Sequence, residues 1–294
     1  MTTLREALQQ AHRAGRALGH FNASDLVALR AIAEASRELG SPVLVGASEG
    51  EREFIGVRQV AALVASVRDE FGQPIFLNAD HTHSLEKAEE AARAGFDEVL
   101  FDGSRLPFEE NVGQTRRAVE AIRAIDPGIV VEGEIGWIGA SSEVHQSAPE
   151  GLERTMTTPE EARQFVEATG VDVLAPSVGN MHGLLQSMVR GESEKHLDID
   201  RIRRIQQATH VFMTLHGASG TNARDLADAI RAGMTIVHIN TELRLAWRRA
   251  LESALARDPS GVTPYKILVG PLQAVKEVVR SRLQLFHGSA GSSG

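Results

Sequence analysis

Histidine recurs in this chain beside acidic or small residues, in segments that could each end a strand. They are Gly19-His20-Phe21-Asn22, Asn78-Ala79-Asp80-His81-Thr82-His83, Gly179-Asn180-Met181-His182-Gly183 and Leu215-His216-Gly217-Ala218-Ser219. Asp102-Gly103-Ser104, Glu132-Gly133-Glu134 and His238-Ile239-Asn240-Thr241 add carboxylates and further polar groups. The chain has no cysteine, so any metal must be held by His, Asp or Glu. Histidine and carboxylate are a natural Zn2+ set, and three protein ligands leave one position open for catalysis. A single histidine at a strand end is most often a hydrogen-bonded structural residue. Three on different strands, facing one mouth with carboxylates among them, point instead to a metal centre. His81, His182 and His216 are the first choices. His83 competes with His81, because a period of two puts both on one face of a strand, but it fits better behind the ligands. His12, His145, His196, His210 and His287 fall on helices, loops or strand starts and read as surface or structural residues.

A second signal is an anion cradle. Gly217-Ala218-Ser219-Gly220 precedes a helix expected from about Asn222, and small residues there let backbone N–H groups approach an anion. Asn240-Thr241 stands just before another helical run, and Gly183 follows His182 directly. The formal net charge is −8, so a bound phosphate would rely on such local dipoles. The same charge argues against a nucleic-acid partner, which needs a basic face.

These residues need a frame that brings strand ends together. Eight short apolar runs alternate with longer segments of helical period. The runs are Ala17–Asn22, Pro42–Ser48, Pro74–His81, Glu98–Ser104, Ile129–Gly136, Val171–Gly179, Val211–Ser219 and Ile236–Thr241. Thr158-Pro159-Glu160-Glu161 is a capping box with proline at the first helical position. Gly95, Gly170 and Gly233 stand where helices should give way to strands. Eight βα units in a chain of 294 residues predict an α/β fold, a (β/α)8 TIM barrel, whose chemistry lies at the C-terminal ends of its strands. One domain over residues 1–287 is expected, with a C-terminal helical extension over Tyr265–Phe286 and a flexible tail at 288–294. Ser141–Met156 reads as a long loop of the kind that forms lids, and a second polar loop spans Gln186–Ile199. No apolar stretch approaches a membrane span and the first residues carry no apolar signal core. The expectation is a cytoplasmic protein with no membrane partner.

The ordered motifs, from Gly19-His20-Phe21-Asn22 through Asp80-His81, Phe101–Ser104, Val131–Gly136, Gly179–Gly183 and Leu215–Ser219 to Phe286–Gly291, resemble the class II, zinc-dependent ketose-bisphosphate aldolases, nearest the tagatose-bisphosphate branch. The resemblance covers nearly the whole chain. It implies one catalytic Zn2+ on His81, His182 and His216, with Asp80 as the catalytic acid/base. It implies that Asp102 and Glu134 can hold an alternative or second metal, and it leaves room for a monovalent cation. Gly183, Gly217, Ala218 and Ser219, and the stretch His238, Ile239, Asn240, Thr241, match the segments that hold dihydroxyacetone phosphate, with Asn22 beside them. The partner is then a small sugar phosphate, in a homodimer or homotetramer. Such chemistry needs a base for the C4 hydroxyl and an electron sink for the enediolate; a Lewis-acid metal supplies the sink, and no lysine falls in the eight runs.

Three departures from the family pattern bear on substrate. Ser142 stands where a proton-exchanging Glu is expected, with Glu143 the obvious substitute. His238 replaces an Asn that contacts the enediolate and is itself a possible base. Val269 stands where an arginine for the second phosphate is expected, with Lys266 near. The last predicts a preference for substrates phosphorylated only at the dihydroxyacetone end, or with a neutral group at the other. The alternatives are a divergent metal-dependent lyase or isomerase on the same scaffold, and a non-catalytic sugar-phosphate-binding relative.

Overall fold

Alternation within the strands decides what fills the centre of this molecule. Leu18, His20 and Asn22 share one face of their strand; Phe76, Asn78 and Asp80 share another, as do Val130, Glu132 and Glu134, Phe212, Thr214 and His216, and Ile236 and His238. A period of two turns each set inward together. The result is an apolar floor and polar layers above it.

The computed structural model describes residues 2–139, 142–147 and 156–288. Its barrel strands are β1 (Leu18–Asn22), β2 (Val43–Ser48), β3 (Ile75–Thr82), β4 (Glu98–Phe101) and β5 (Val130–Ile135), followed by β7 (Val173–Pro176), β9 (Phe212–Leu215) and β10 (Met234–Ile239). They close in the order β1-β10-β9-β7-β5-β4-β3-β2, every pair parallel. All eight expected runs are therefore strands of one (β/α)8 barrel, trimmed at their polar ends. Between them lie β6 (Val144–His145) and β8 (Leu184–Leu185), which pair with each other in parallel outside the barrel. This pairing ties part of the expected lid to the loop after β7. The rest of that loop, residues 140–141 and 148–155, and residues 289–294 of the expected tail lie outside the described residues.

An N-terminal helix, Leu4–Arg13, closes the floor: Leu4, Ala7 and Leu8 pack on Leu18, Leu44, Phe76, Val130, Val173 and Ile236, all at or near strand starts. The outer faces of the strands pack against the surrounding helices in the main core, which includes Phe21, Val45, Leu77, Val131 and Val237. Local signals act as expected. Thr158 accepts from Glu161 N in a capping box, and Gly170 ends that helix at φ 70°. The helix expected near Asn222 runs Ala223–Arg231 with Asn222 as its cap. The C-terminal extension is a short turn, Pro264–Ile267, then a helix, Val269–Phe286. Among the described residues no helix is long and apolar enough to cross a membrane.

Candidate active site

Three strands each contribute one histidine to a common point at the C-terminal mouth. His81 leaves the end of β3, His182 the loop after β7, and His216 the end of β9. Their ring centroids stand 4.9 Å (His81–His182), 4.9 Å (His81–His216) and 6.1 Å (His182–His216) apart. One nitrogen from each lies within 4.8 Å of the others.

Each ring is oriented from behind. His81 Nδ1 lies 2.8 Å from Asp102 Oδ2, His182 Nδ1 lies 2.9 Å from the Gly139 carbonyl, and His216 Nε2 lies 2.7 Å from Glu132 Oε1. With N–H on the tied side, the free lone pairs are His81 Nε2, His182 Nε2 and His216 Nδ1. Fixing the tautomer of a ligating imidazole through its other nitrogen is how metal sites are tuned. The donor set therefore fits a tetrahedral ion with one open position.

Asp80 sits beside this point because of a local backbone feature. Neighbours on a regular strand face opposite ways, yet Asp80 and His81 both serve the mouth. The cause is His81 at φ 44°, a left-handed conformation rare outside glycine, at the place where the β3–β4 register shifts. The same kink ends the period of two, so His83 does not join the ligands. It bonds the Asp102 carbonyl at 3.2 Å from a half-exposed position. Arg52 holds the kinked end: it donates to the Ala47 and Asp80 carbonyls and to Thr82 Oγ1.

Asp80 Oδ2 accepts from Asn22 Nδ2 at 2.9 Å, while buried Oδ1 has no hydrogen-bond partner. That oxygen is 3.8 Å from His81 Nε2 and 3.7 Å from His238 Nδ1. Burial alone would raise Asp80, but His81, His20 and His216 and the Asn22 bond outweigh it and hold the carboxyl well below the usual carboxylate range. Burial would likewise lower His81, but Asp80, Asp102 and Glu134 raise it to about 10. Burial lowers His182 to about 4 and takes His216 well below its ordinary value. The site thus holds a pool of negative charge that calls for one bound cation, a proton on His81 or a metal.

Asp102 and Glu134 face the other nitrogen of His81, with Glu134 Oε2 at 3.5 Å. A neutral imidazole has one lone pair, so this second donor cluster and the three-histidine site are alternatives for one ion. Asp102 Oδ1 is already engaged by Ser104.

The inner face of the mouth is lined by Asn22, Asp80, His81, Ser142, His182, Gly183, His216, Gly217, Ser219, His238, Asn240 and Thr241. Ala218 and Ile239 do not line it; both are fully buried in the outer core, so they can offer only backbone. The helix Thr241–Arg257 begins here with no side-chain cap on its first amides, an arrangement that favours an anion. Glu143 is exposed and borders the outer cleft with Asp80, His81 and His182.

His238 is stacked on His20, with centroids 3.4 Å apart and planes within 5°. The two are register partners on β10 and β1. With Asp80 the pair offers a second group of donor atoms within 4.8 Å of one another, wholly buried beside the three-histidine point. Burial, then the neighbouring His20 and His216, hold His238 well below its ordinary value. It is neutral, which makes it a weak base and a good hydrogen-bonding group.

Several participants carried no sequence signal of their own. Glu51, placed by a capping box with Ser48, gathers Asn22, Ser24 and Arg244. Arg105 and Arg244 border the outer cleft, whereas Val269 and Lys266 do not. Lys195 lies buried under the loops after β7 and β9.

A family model described as fructose-bisphosphate aldolase class-II matches residues 2–292. The fructose-bisphosphate aldolase of Thermus caldophilus is 35% identical over 97% of each chain, and that of Staphylococcus aureus (strain Mu50) is 32% identical over 97% of each. The crystal structure of the YdjI aldolase from Escherichia coli K12 superposes with a TM-score of 0.79 at 27% identity, covering 100% of this chain and 99% of that one. A putative fructose-1,6-biphosphate aldolase from Coccidioides immitis gives a TM-score of 0.81 at 25% identity, over 98% and 96% of the two chains. With this barrel, these histidines and these relatives, the chain belongs to the class II fructose-bisphosphate aldolase family, metal-dependent lyases that reversibly cleave a phosphorylated ketose to dihydroxyacetone phosphate and an aldehyde.

Proposed function

We propose that the chain is a zinc enzyme in which His81, His182 and His216 hold the ion and Asp80 carries the proton of C–C cleavage. The observation that carries this reading is Asp80 Oδ1, buried and without a hydrogen-bond partner beside the three ligand nitrogens. An ionised carboxylate kept there, with its other oxygen fixed by Asn22, is a poised base for a substrate hydroxyl. Bound zinc would supply the Lewis acid that polarises the substrate's carbonyl and hydroxyl oxygens. His238, neutral and facing Asp80, offers a hydrogen bond to the enediolate. Glu143 can exchange the carbon-bound proton from the rim of the cleft. Gly183, Gly217, Ser219, Asn240 and Thr241 form the cradle for the dihydroxyacetone phosphate end, with Ala218 and Ile239 contributing backbone. Asp102 and Glu134 serve as an alternative position for the ion.

The substrate we favour is a ketose 1,6-bisphosphate such as fructose 1,6-bisphosphate, because two arginines, Arg105 and Arg244, border the outer cleft. Val262, Tyr265 and Val269 are exposed within one short stretch, which supports a homodimer or homotetramer. A purified sample sized by sedimentation and assayed for zinc and dihydroxyacetone phosphate release tests the whole reading. Asp80→Ala should keep stoichiometric zinc and lose about 10²–10⁴-fold in kcat. His216→Ala should lose zinc and activity together. An Asp80→Ala enzyme with unchanged kcat removes Asp80 as the proton carrier.

A further inference from the structure

Lys195 is 3% exposed, although in folded proteins lysine is almost never fully buried unless paired. Its partners are not carboxylates. Nζ donates to four backbone carbonyls: Met181 at 2.7 Å, Gly183 at 2.5 Å, Gly217 at 2.9 Å and Ser219 at 2.6 Å. Met181 and Gly183 flank His182; Gly217 and Ser219 follow His216. Rings of backbone carbonyls like this one are what replace the hydration shell of a monovalent cation in a filter. Carbonyls can only accept, so the charged ammonium is the form the cage satisfies, its three N–H groups spread over four carbonyls with one of them shared. Burial works against that charge and lowers the group to about 7, while Glu242 opposes the fall.

The two loops in the clamp are the ones whose Gly183, Gly217 and Ser219 line the mouth. Pulling their carbonyls to one point fixes the peptide planes after Met181, Gly183, Gly217 and Ser219, and so the course of both loops where they border the mouth. The backbone of Lys195 is itself fixed, bridging to Thr221 and donating to the Gly220 carbonyl at 3.0 Å. The ammonium therefore lies under the cradle, its charge met at close range by carbonyl dipoles, with Glu242 acting on it from beyond them.

We propose that Lys195 is a built-in monovalent cation: a positioning residue that fills the carbonyl cage, sets the two cradle loops on the substrate phosphate, and frees the enzyme from any need for K+ or Na+. It rests on the reading of the cradle as a phosphate site. A side chain then takes the place the resemblance leaves for a monovalent cation.

The test measures dihydroxyacetone phosphate binding by calorimetry on the zinc-loaded protein, at one ionic strength, in tetramethylammonium, Na+, K+ or NH4+ chloride. The wild type should bind equally in all four. Lys195→Ala, which empties the cage, should bind about tenfold or more weakly in tetramethylammonium, the scale of a lost charge-assisted contact, and recover in K+ or NH4+. Lys195→Met fills the cage with an apolar chain and should stay weak in every salt. A wild type that needs K+, or a Lys195→Ala protein that binds normally in tetramethylammonium, overturns the proposal. So does a folded, zinc-loaded Lys195→Ala protein that no cation restores. If Lys195→Ala does not fold, the wild-type salt series and Lys195→Met still decide. A wild type that binds no dihydroxyacetone phosphate removes the cradle reading, and with it this proposal.

Discussion

At the scale of single residues, His81 carries the most information. It is raised to about 10 by three surrounding carboxylates against the effect of burial, while His182 is lowered to about 4 and His216 lies well below its ordinary value. Near neutral pH the metal-free protein therefore holds a proton on His81 and none on the other two. A metal ion must displace that proton, because only a neutral imidazole ligates. The sign follows: a group raised in the protein keeps its proton until the pH passes its raised value, so metal binding strengthens as pH rises toward about 10. One displaced proton means about tenfold in apparent affinity per pH unit between about pH 7 and 9. Competition against a chelator of known pH dependence measures this slope. A flat profile would show that His81 is neutral in the metal-free protein, and a slope of two would show that a second ligand is also protonated.

At the scale of elements, the site is made by what happens where strands stop. The inward alternation of β1, β3, β5, β9 and β10 was legible in the sequence, because side-chain period in a strand is fixed by the backbone. The histidines and carboxylates it delivers were therefore legible too. The left-handed turn at His81 was not, since nothing in Asp80-His81-Thr82 demands it; Arg52 and the register shift impose it from outside. Arg52 and Lys195 went unread for a related reason: both act by donating to backbone carbonyls, and no spacing of side chains records that. The close approach of the loops after β7 and β9 is testable through glycine. Gly217 has φ 60°, and a Cβ there would stand 2.4 Å from the Met181 carbonyl oxygen. Gly217→Ala must push the two loops apart and so separate His182 from His216. We expect a loss of about 1–3 kcal/mol in stability from the strained backbone, read by thermal unfolding, together with zinc content below one ion per chain. Unchanged melting and full zinc would mean that the loops have slack the geometry does not show.

At the scale of the whole molecule, an acidic protein of net charge −8 must attract a multiply charged anion to one mouth. In the proposed reading the phosphate nearer the metal takes the cradle and the start of the helix Thr241–Arg257, whose first amides carry no side-chain cap. Arg244, carried on that same helix, and Arg105 also border the cleft. The exposed Val269 had pointed to a substrate phosphorylated at one end only; it does not line the cleft, and Arg244 takes over the question. Arg244 Nη2 now bonds Glu51 Oε1 at 3.0 Å. Glu51 also accepts from Asn22, Ser24 and Ser48, so it stays satisfied if Arg244 turns to a ligand. A hydrogen bond between charged groups is worth about 1.5–3 kcal/mol when shielded; the Arg244 side chain is 43% exposed, and solvent screening brings the expected effect toward the lower figure. That corresponds to about tenfold. We therefore expect kcat/KM for a ketose 1,6-bisphosphate to exceed that for the matching 1-phosphate by about tenfold at low salt. Arg244→Met should abolish the difference while leaving the 1-phosphate rate in place. Equal rates in the wild type would mean that Glu51 keeps Arg244 for itself, and that the aldehyde half of the natural substrate carries no charge.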